Sequence, residues 1–282
     1  MIGLLIKVAF TVDWEVTFNT WCGRFVNRLV SEVLSGAGFN IPHTAREKPF
    51  TVSPILNIKG NVVSRLIPGE PYNVRVSLIC SEVDCSIVPS LFVKGELRLS
   101  NGEAIKVIST EVNEAKLEMR DHDDYRAVFR WRVRFWPTSF IFRSHYVAWP
   151  SPSRFLSSAA STLVRVLRGG GDLLVSRGGG EPLIGIINDA DFKGFVRDLA
   201  FNTEVLDMRV RKVDLNLGRG GRRVPAFEGF AEYVTYTDRP GLFRLLLDVV
   251  NAYGVGKNRA LGLGYVVADI VDTKRLSRVN KR

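Results

Sequence analysis

Hydrophobic and polar positions alternate from the start of the chain. Leu4, Ile6, Val8, Phe10 and Val12 interleave with Leu5, Lys7, Ala9, Thr11 and Asp13, the period-two pattern of a strand with one apolar face. The period then changes. Phe18, Trp21, Cys22, Phe25, Val26, Leu29, Val30, Val33 and Leu34 recur in steps of three and four. That predicts a helix over 18–34, with Arg24, Asn27, Arg28 and Ser31 on its polar side and Gly36 and Gly38 as its stop. Strands are expected over 50–58 and 72–80, the second introduced by Pro68-Gly69-Glu70-Pro71. A short helix near 86–92 and a strand over 104–112, after the turn Asn101-Gly102, complete a β-α-β-β-α-β order.

The charged stretch 116–125 has no apolar period and reads as a linker between domains of residues 1–115 and 126–282. The second domain repeats the element order. Phe129, Trp131, Val133 and Phe135 alternate with Arg130, Arg132 and Arg134; with Arg126 these arginines give the strand a basic face, and the aromatics give it a core face. Ser151 and Pro152 open a helix carrying Phe155, Leu156, Ala159, Ala160, Leu163, Val164 and Leu167. A stretch containing Gly169–Gly171 and Gly178–Gly180 leads through an irregular segment to about residue 202. A strand follows whose apolar phase slips at Arg211-Lys212, which predicts a bulge there. Residues 218–223 form a hairpin loop and 226–236 the return strand. Asp238 is placed to cap a helix over 240–253, and 264–271 closes the domain as a strand. The expected fold class is α+β, two tandem ferredoxin-like domains with antiparallel sheets.

Composition narrows the function. With 282 residues, 46% hydrophobic and 24% charged, the chain can bury two ordinary cores and is not disordered. A formal charge of +10 favours polyanionic partners, nucleic acid first and an anionic membrane surface second. The three cysteines, Cys22, Cys80 and Cys85, form no CxxC pair, and three histidines accompany them, so no structural zinc is expected. An odd cysteine count suits a reducing cytoplasm. The apolar start is short and interrupted by Lys7, and no uncharged run reaches the roughly 18 residues of a membrane span. The expectation is a cytoplasmic protein without membrane or cofactor.

The most specific motif is Gly254-Val-Gly256-Lys257-Asn258-Arg259-Ala-Leu-Gly262-Leu-Gly264. It follows a helix and enters a strand, the reverse of a dinucleotide-binding turn, so a nicotinamide cofactor is not expected. Its glycines would let backbone N–H groups form a nest for phosphate, with Lys257 and Arg259 adding charge and Asn258 hydrogen bonding. The bland alternative is a flexible connection whose charges face water.

This loop, near the end of a double ferredoxin-like chain, resembles the signature of the RAMP superfamily, and more closely that of the CRISPR-associated endoribonucleases that process precursor crRNA. His43-Thr-Ala-Arg46-Glu-Lys48-Pro49-Phe50-Thr51-Val52-Ser53-Pro54 resembles that family's stretch after the first helix. Phe135-Trp-Pro137-Thr138-Ser139-Phe140 and Trp149-Pro150-Ser151-Pro152 resemble segments of its second domain. The resemblance implies metal-independent cleavage of repeat RNA, in which a 2′-hydroxyl attacks the adjacent phosphate and leaves a 2′,3′-cyclic phosphate and a 5′-hydroxyl. It implies catalytic roles for His43 and Lys48. The family's tyrosine has no counterpart, since the first tyrosine is Tyr72.

That chemistry needs a proton acceptor, a proton donor and cations for the phosphorane. A histidine near neutral pH serves the first two and a lysine or arginine the third. His43, after Pro42, reads as a loop residue close to Arg46 and Lys48. His122 lies among Asp121, Asp123 and Asp124, which reads as a solvated linker rather than a metal site. His145 is an alternative catalyst. Expected RNA contacts are Arg24, Arg28, Arg46, Arg219, Arg222, Arg223, Gly254, Gly256, Lys257, Asn258, Arg259, Gly262 and Gly264. The expected partner is CRISPR repeat RNA, single-stranded or hairpin; other effector subunits and a second copy of the chain are further candidates. The alternatives are a non-catalytic RAMP subunit that binds crRNA, and a basic protein with an acidic protein partner.

Overall fold

The computed structural model describes residues 3–39, 41, 48–93, 95–98, 104–115, 117, 125–168, 190–218 and 223–276. In chain order the elements are β1 (Gly3–Thr11), β2 (Val16–Thr17), α1 (Gly23–Gly36), β3 (Phe50–Val52), β4 (Leu56–Asn57), β5 (Arg65–Leu66), β6 (Tyr72–Ile79), α2 (Val88–Phe92), β7 (Glu96–Arg98) and β8 (Ala104–Glu114). There follow β9 (Arg126–Thr138), β10 (Phe140–Phe142), β11 (His145–Val147), α3 (Pro152–Arg168), α4 (Ala190–Phe201), β12 (Thr203–Asn216), β13 (Arg223–Thr237), α5 (Pro240–Tyr253) and β14 (Val266–Leu276).

Two antiparallel sheets dominate. The first runs β3-β6-β1-β8-β7, with β4 also on β6; the second runs β12-β13-β9-β14. β1 lies beside β6 and β9 beside β13 inside their sheets, the ferredoxin-like arrangement. The first core joins Leu4, Ile6, Val8 and Phe10 of β1 to the apolar side of α1 and to Val88 and Phe92 of α2. The second joins Phe129, Trp131, Val133 and Phe135 of β9 to α3, α4 and α5. Trp131 is fully buried, stacks on Tyr233 at 4.5 Å and donates its Nε1 proton to Thr235. The arginines between these aromatics fall on the opposite face, as the alternation requires.

Several expectations change. The first helix starts at Gly23, not at 18. Tertiary bonds hold residues ahead of it outside the helix: the Phe18 amide donates to Ser64 and the Trp21 amide to Asn216. The strand expected over 50–58 is broken at Ser53–Ile55 around Pro54, which has no amide to donate; β4 resumes one residue out of step on β6. The segment read as irregular before residue 202 contains α4. Asp238 is not a cap: Arg239 takes that position, its amide donating to the Thr237 hydroxyl. The closing strand begins at Val266.

No bulge occurs at Arg211-Lys212, where β12 pairs with β13 without a break. The irregularity lies at Leu206 instead. The apolar phase changes because β12 passes from one core to the other. Met208 and Val210 pack on the second core, whereas Leu215 and Leu217 pack on the first.

Cys80 and Cys85 form a disulfide, in contrast to the free thiols expected of a reducing cytoplasm; Cys22 is free and buried. No described helix is long and apolar enough to cross a membrane. The glycine runs at Gly169–Gly171 and Gly178–Gly180 and most of the expected linker, His122 included, lie outside the described residues.

Candidate nucleic-acid interface

A cleft of about 560 Å³ opens between the two halves of the chain. One wall is Asn27 of α1 with Lys48, Phe50 and Thr51. The other is the polar side of α3, formed by Arg154, Ser157, Ser158, Ser161, Thr162 and Arg165. Residues 256–261 of the glycine-rich loop make the floor, and Phe140 and Ile141 the rim. Lys48, Arg154, Arg165, Lys257 and Arg259 line it, and no Asp or Glu does among the described residues. With Arg165 held by Glu82, Lys48, Arg154, Lys257 and Arg259 concentrate positive potential in a concave, partly desolvated space.

The glycine-rich loop reaches this position as a packed strut. Gly256 has φ +80°, and a Cβ there would lie 2.4 Å from the Ser139 carbonyl oxygen. A Cβ on Gly264, at φ +73°, would fall 1.7 Å from the Val255 oxygen. Only glycine fits either place. Eight of the loop's amides are bonded internally. Val255 donates to Gly264, Gly256 to the Ser158 hydroxyl, Lys257 to Ser139 and Gly264 to Pro137; Gly254, Leu261, Gly262 and Leu263 are also engaged. The amides of the four glycines are thus bonded within the protein, and the glycines serve close packing. The loop presents side chains instead: Lys257, Asn258 and Arg259 line the cleft, and Arg259 Nη1 donates to Thr162 at 2.6 Å. Ala260 accepts from Asn27 and Leu261 from Trp21 Nε1, both at 2.7 Å, which ties the loop to the first helix.

Lys48 is half-buried. Its Nζ donates to Ser31 at 3.0 Å and lies 5.6 Å from the centre of the Phe50 ring. Burial, which penalises the ammonium, lowers its pKa below the ordinary lysine value. Its proton is correspondingly easier to give up. Arg154 stacks over Phe142 at 3.9 Å.

The structure gathers Lys48, Gly256, Lys257, Asn258 and Arg259 of the expected site. Gly254, Gly262 and Gly264 support the loop from behind. Arg24, Arg28 and Arg223 do not line the cleft. Arg24 lies against Gly218 at the β12–β13 hairpin, Arg28 pairs with Glu32 at 2.9 Å, and Arg223 is exposed at the start of β13. His43, Arg46, Arg219 and Arg222 lie outside the described residues. His145 is exposed on β11 and does not line the cleft. The basic face expected on β9 is largely compensated: Arg130 and Arg132 both bind Glu232, whose carboxyl they hold below the ordinary range, while Arg134 stacks on Trp136. Arg154, Arg165 and the α3 hydroxyls were not anticipated. Their signal was present in the spacing 154, 158, 161, 165, the polar stripe opposite the apolar one already read. No group of three or more His, Cys, Asp or Glu among the described residues could hold a metal.

Two ferredoxin-like sheets, joined through a glycine-rich helix-to-strand loop that floors a cationic cleft, define a protein of the double-ferredoxin type whose cleft suits an anionic ligand. Residues 133–266, including that loop, match the family model of the CRISPR-associated endoribonuclease Cas6. Solved structures share the fold over nearly the whole chain. A Thermus thermophilus Cas6 is 15% identical with a TM-score of 0.62, covering 95% of this chain and 98% of that one. A Cas6 product complex is 16% identical with a TM-score of 0.65, covering 95% and 100%. Another Cas6 product complex is 19% identical with a TM-score of 0.60, covering 94% and 99%. No curated protein matches the chain in sequence.

Proposed function

We propose that this chain cleaves CRISPR repeat RNA without a metal ion, by attack of a 2′-hydroxyl on the adjacent phosphate. The observation that carries this reading is the cleft itself: the half-buried Lys48 with Arg154, Lys257 and Arg259 facing one space. A phosphodiester entering it would find charge on three sides. As the phosphorane forms, Lys48 would stabilise the added negative charge, and its acidified ammonium can protonate the departing 5′-oxygen. Lys257 and Arg259, held by the packed loop, would fix the RNA backbone. His43, five residues before Lys48 in the chain, is assigned proton transfer. Solved Cas6 structures include product and substrate-mimic complexes, which supports repeat RNA as the partner. The proposed domain division is 1–115 and 126–282, with 116–125 between.

Single-turnover cleavage of a repeat RNA in EDTA tests the reading. Cleavage should persist, leave cyclic phosphate ends and stop when the scissile nucleotide is 2′-deoxy. His43→Ala should slow it by about 10²–10⁴-fold. Tight binding with no cleavage would instead identify a crRNA-binding subunit. Loss of cleavage in EDTA with recovery on added magnesium would refute the mechanism.

A further inference from the structure

Arg165 is placed oddly for a residue that only binds RNA. It lines the cleft, yet its Nε and Nη2 donate to the two oxygens of Glu82, at 3.0 and 2.8 Å. Such a bidentate, partly buried fork is the strong form of an ion pair and leaves little of the charge for phosphate. The same Nη2 also donates to the Lys48 carbonyl at 2.7 Å. The next carbonyl, that of Pro49, accepts from the Ile79 amide at 2.9 Å. Arg165 therefore fastens the backbone that carries Lys48 across the cleft to α3. Glu82, its anchor, sits inside the loop closed by the Cys80–Cys85 disulfide, with its own amide bonded to the Ile79 carbonyl. Disulfide, Glu82, Arg165 and Lys48 form one continuous chain of contacts.

We propose that Arg165 and Glu82 are a positioning pair for Lys48, and that the Cys80–Cys85 disulfide is the staple that keeps the pair in register, so that cleavage responds to thiol reductants. The proposal rests on the cleft being the reaction site. A dithiol would supply two electrons and two protons, opening the disulfide to two thiols and leaving the reductant as its own cyclic disulfide. Loop 80–85 could then widen, and Glu82 would no longer be held against Arg165. Lys48 would keep its Ser31 bond and lose the fixed backbone beneath it.

The test compares oxidised protein, dithiothreitol-treated protein, Glu82→Gln and Arg165→Lys in single-turnover cleavage at saturating protein. Affinity is measured in parallel with a 2′-deoxy repeat RNA, and a Cys80→Ser/Cys85→Ser variant controls for the reductant. The expected result is a plateau rate lowered about 10- to 10²-fold with affinity nearly unchanged, because misplacement of a reacting group by about 1 Å is felt at this scale. Reduction should add little to Glu82→Gln, since both break the same link. The Lys48 ε-amine, followed by ¹³C NMR, should titrate nearer its ordinary value in both, a readout that does not require cleavage. If Glu82→Gln instead tightens RNA binding and leaves the rate and the Lys48 titration unchanged, Glu82 merely masks an RNA-binding arginine and the proposal falls. If Lys48→Ala cleaves at the native rate, the cleft reading fails rather than the pairing. Circular dichroism melts separate either outcome from unfolding, and the Glu82→Gln and reductant arms decide should Arg165→Lys not fold.

Discussion

Replacing Gly256 with alanine measures how far the glycine-rich loop is a strut. At φ +80° an L-residue carries about 1–2 kcal/mol of backbone strain. Its Cβ would also sit 2.4 Å from the Ser139 carbonyl, a backbone atom that cannot swing aside. Relieving that clash moves the two hydrogen bonds that meet there, Gly256 to the Ser158 hydroxyl at 2.7 Å and Lys257 to Ser139 at 2.9 Å. Each is worth about 1 kcal/mol. Together these give a loss of about 3–4 kcal/mol, or roughly 10 °C in Tm for a chain of this size. Urea denaturation with a constant m-value, beside a thermal melt, reads it directly. Gly36→Ala is the control, because nothing lies within 4 Å of its Cβ and its φ is not positive; it should gain about 0.4–1 kcal/mol. A Gly256→Ala protein melting within about 2 °C of the native one would show that the loop yields, and the strut description would be wrong.

Replacing Lys257 and Arg259 together with alanine should weaken RNA binding and flatten the log–log salt dependence by about 1.4, at roughly 0.7 per lost phosphate contact; an unchanged slope would leave the loop structural only. Cys22, buried and with its pKa pushed up to about 11, should resist Ellman's reagent in the native state; its neutral thiol supports folding fully below pH 9.0, and that support should fade as pH rises from there through about 11. Glu232, hydrogen-bonded by Arg132 and Arg130, contributes stability that is present above the ordinary carboxylate pKa and lost as pH falls through its lowered native value; Glu232→Gln should flatten the acid side of a Tm–pH profile.

The alternation in β9 and the apolar stripe of α3 were readable because each packs one face on one core, that in β1 because its main apolar face does so, and α5 because Pro240 and Gly254 bracket a run buried on nearly all sides. Reading failed where a segment serves two masters. Trp21 and Cys22 keep the helical period, but contacts with the far end of the chain hold Trp21 outside the helix. The phase slip in β12 was visible and was misread, since a pattern cannot say that a strand changes cores. The period of α4, carried by Phe192, Phe195, Val196 and Leu199, was present and was passed over beside the glycine runs that precede it. The loop's glycines announced a close approach without naming its partner: sequence shows that backbone approaches something closely, and at Gly256 that something is Ser139. The disulfide, five residues apart, carried no signal of its own.

Leu263 and Val224 are both fully buried, and both belong to the core of the first sheet. A ribosome makes them long after the rest of that core. The nascent first half therefore emerges with an open apolar floor and waits more than a hundred residues for the side chains that close it, while Trp21 waits as long for the Leu261 carbonyl. The first core is therefore completed only after residue 263 has been made, and the interval before that is when its apolar surface is most exposed to aggregation.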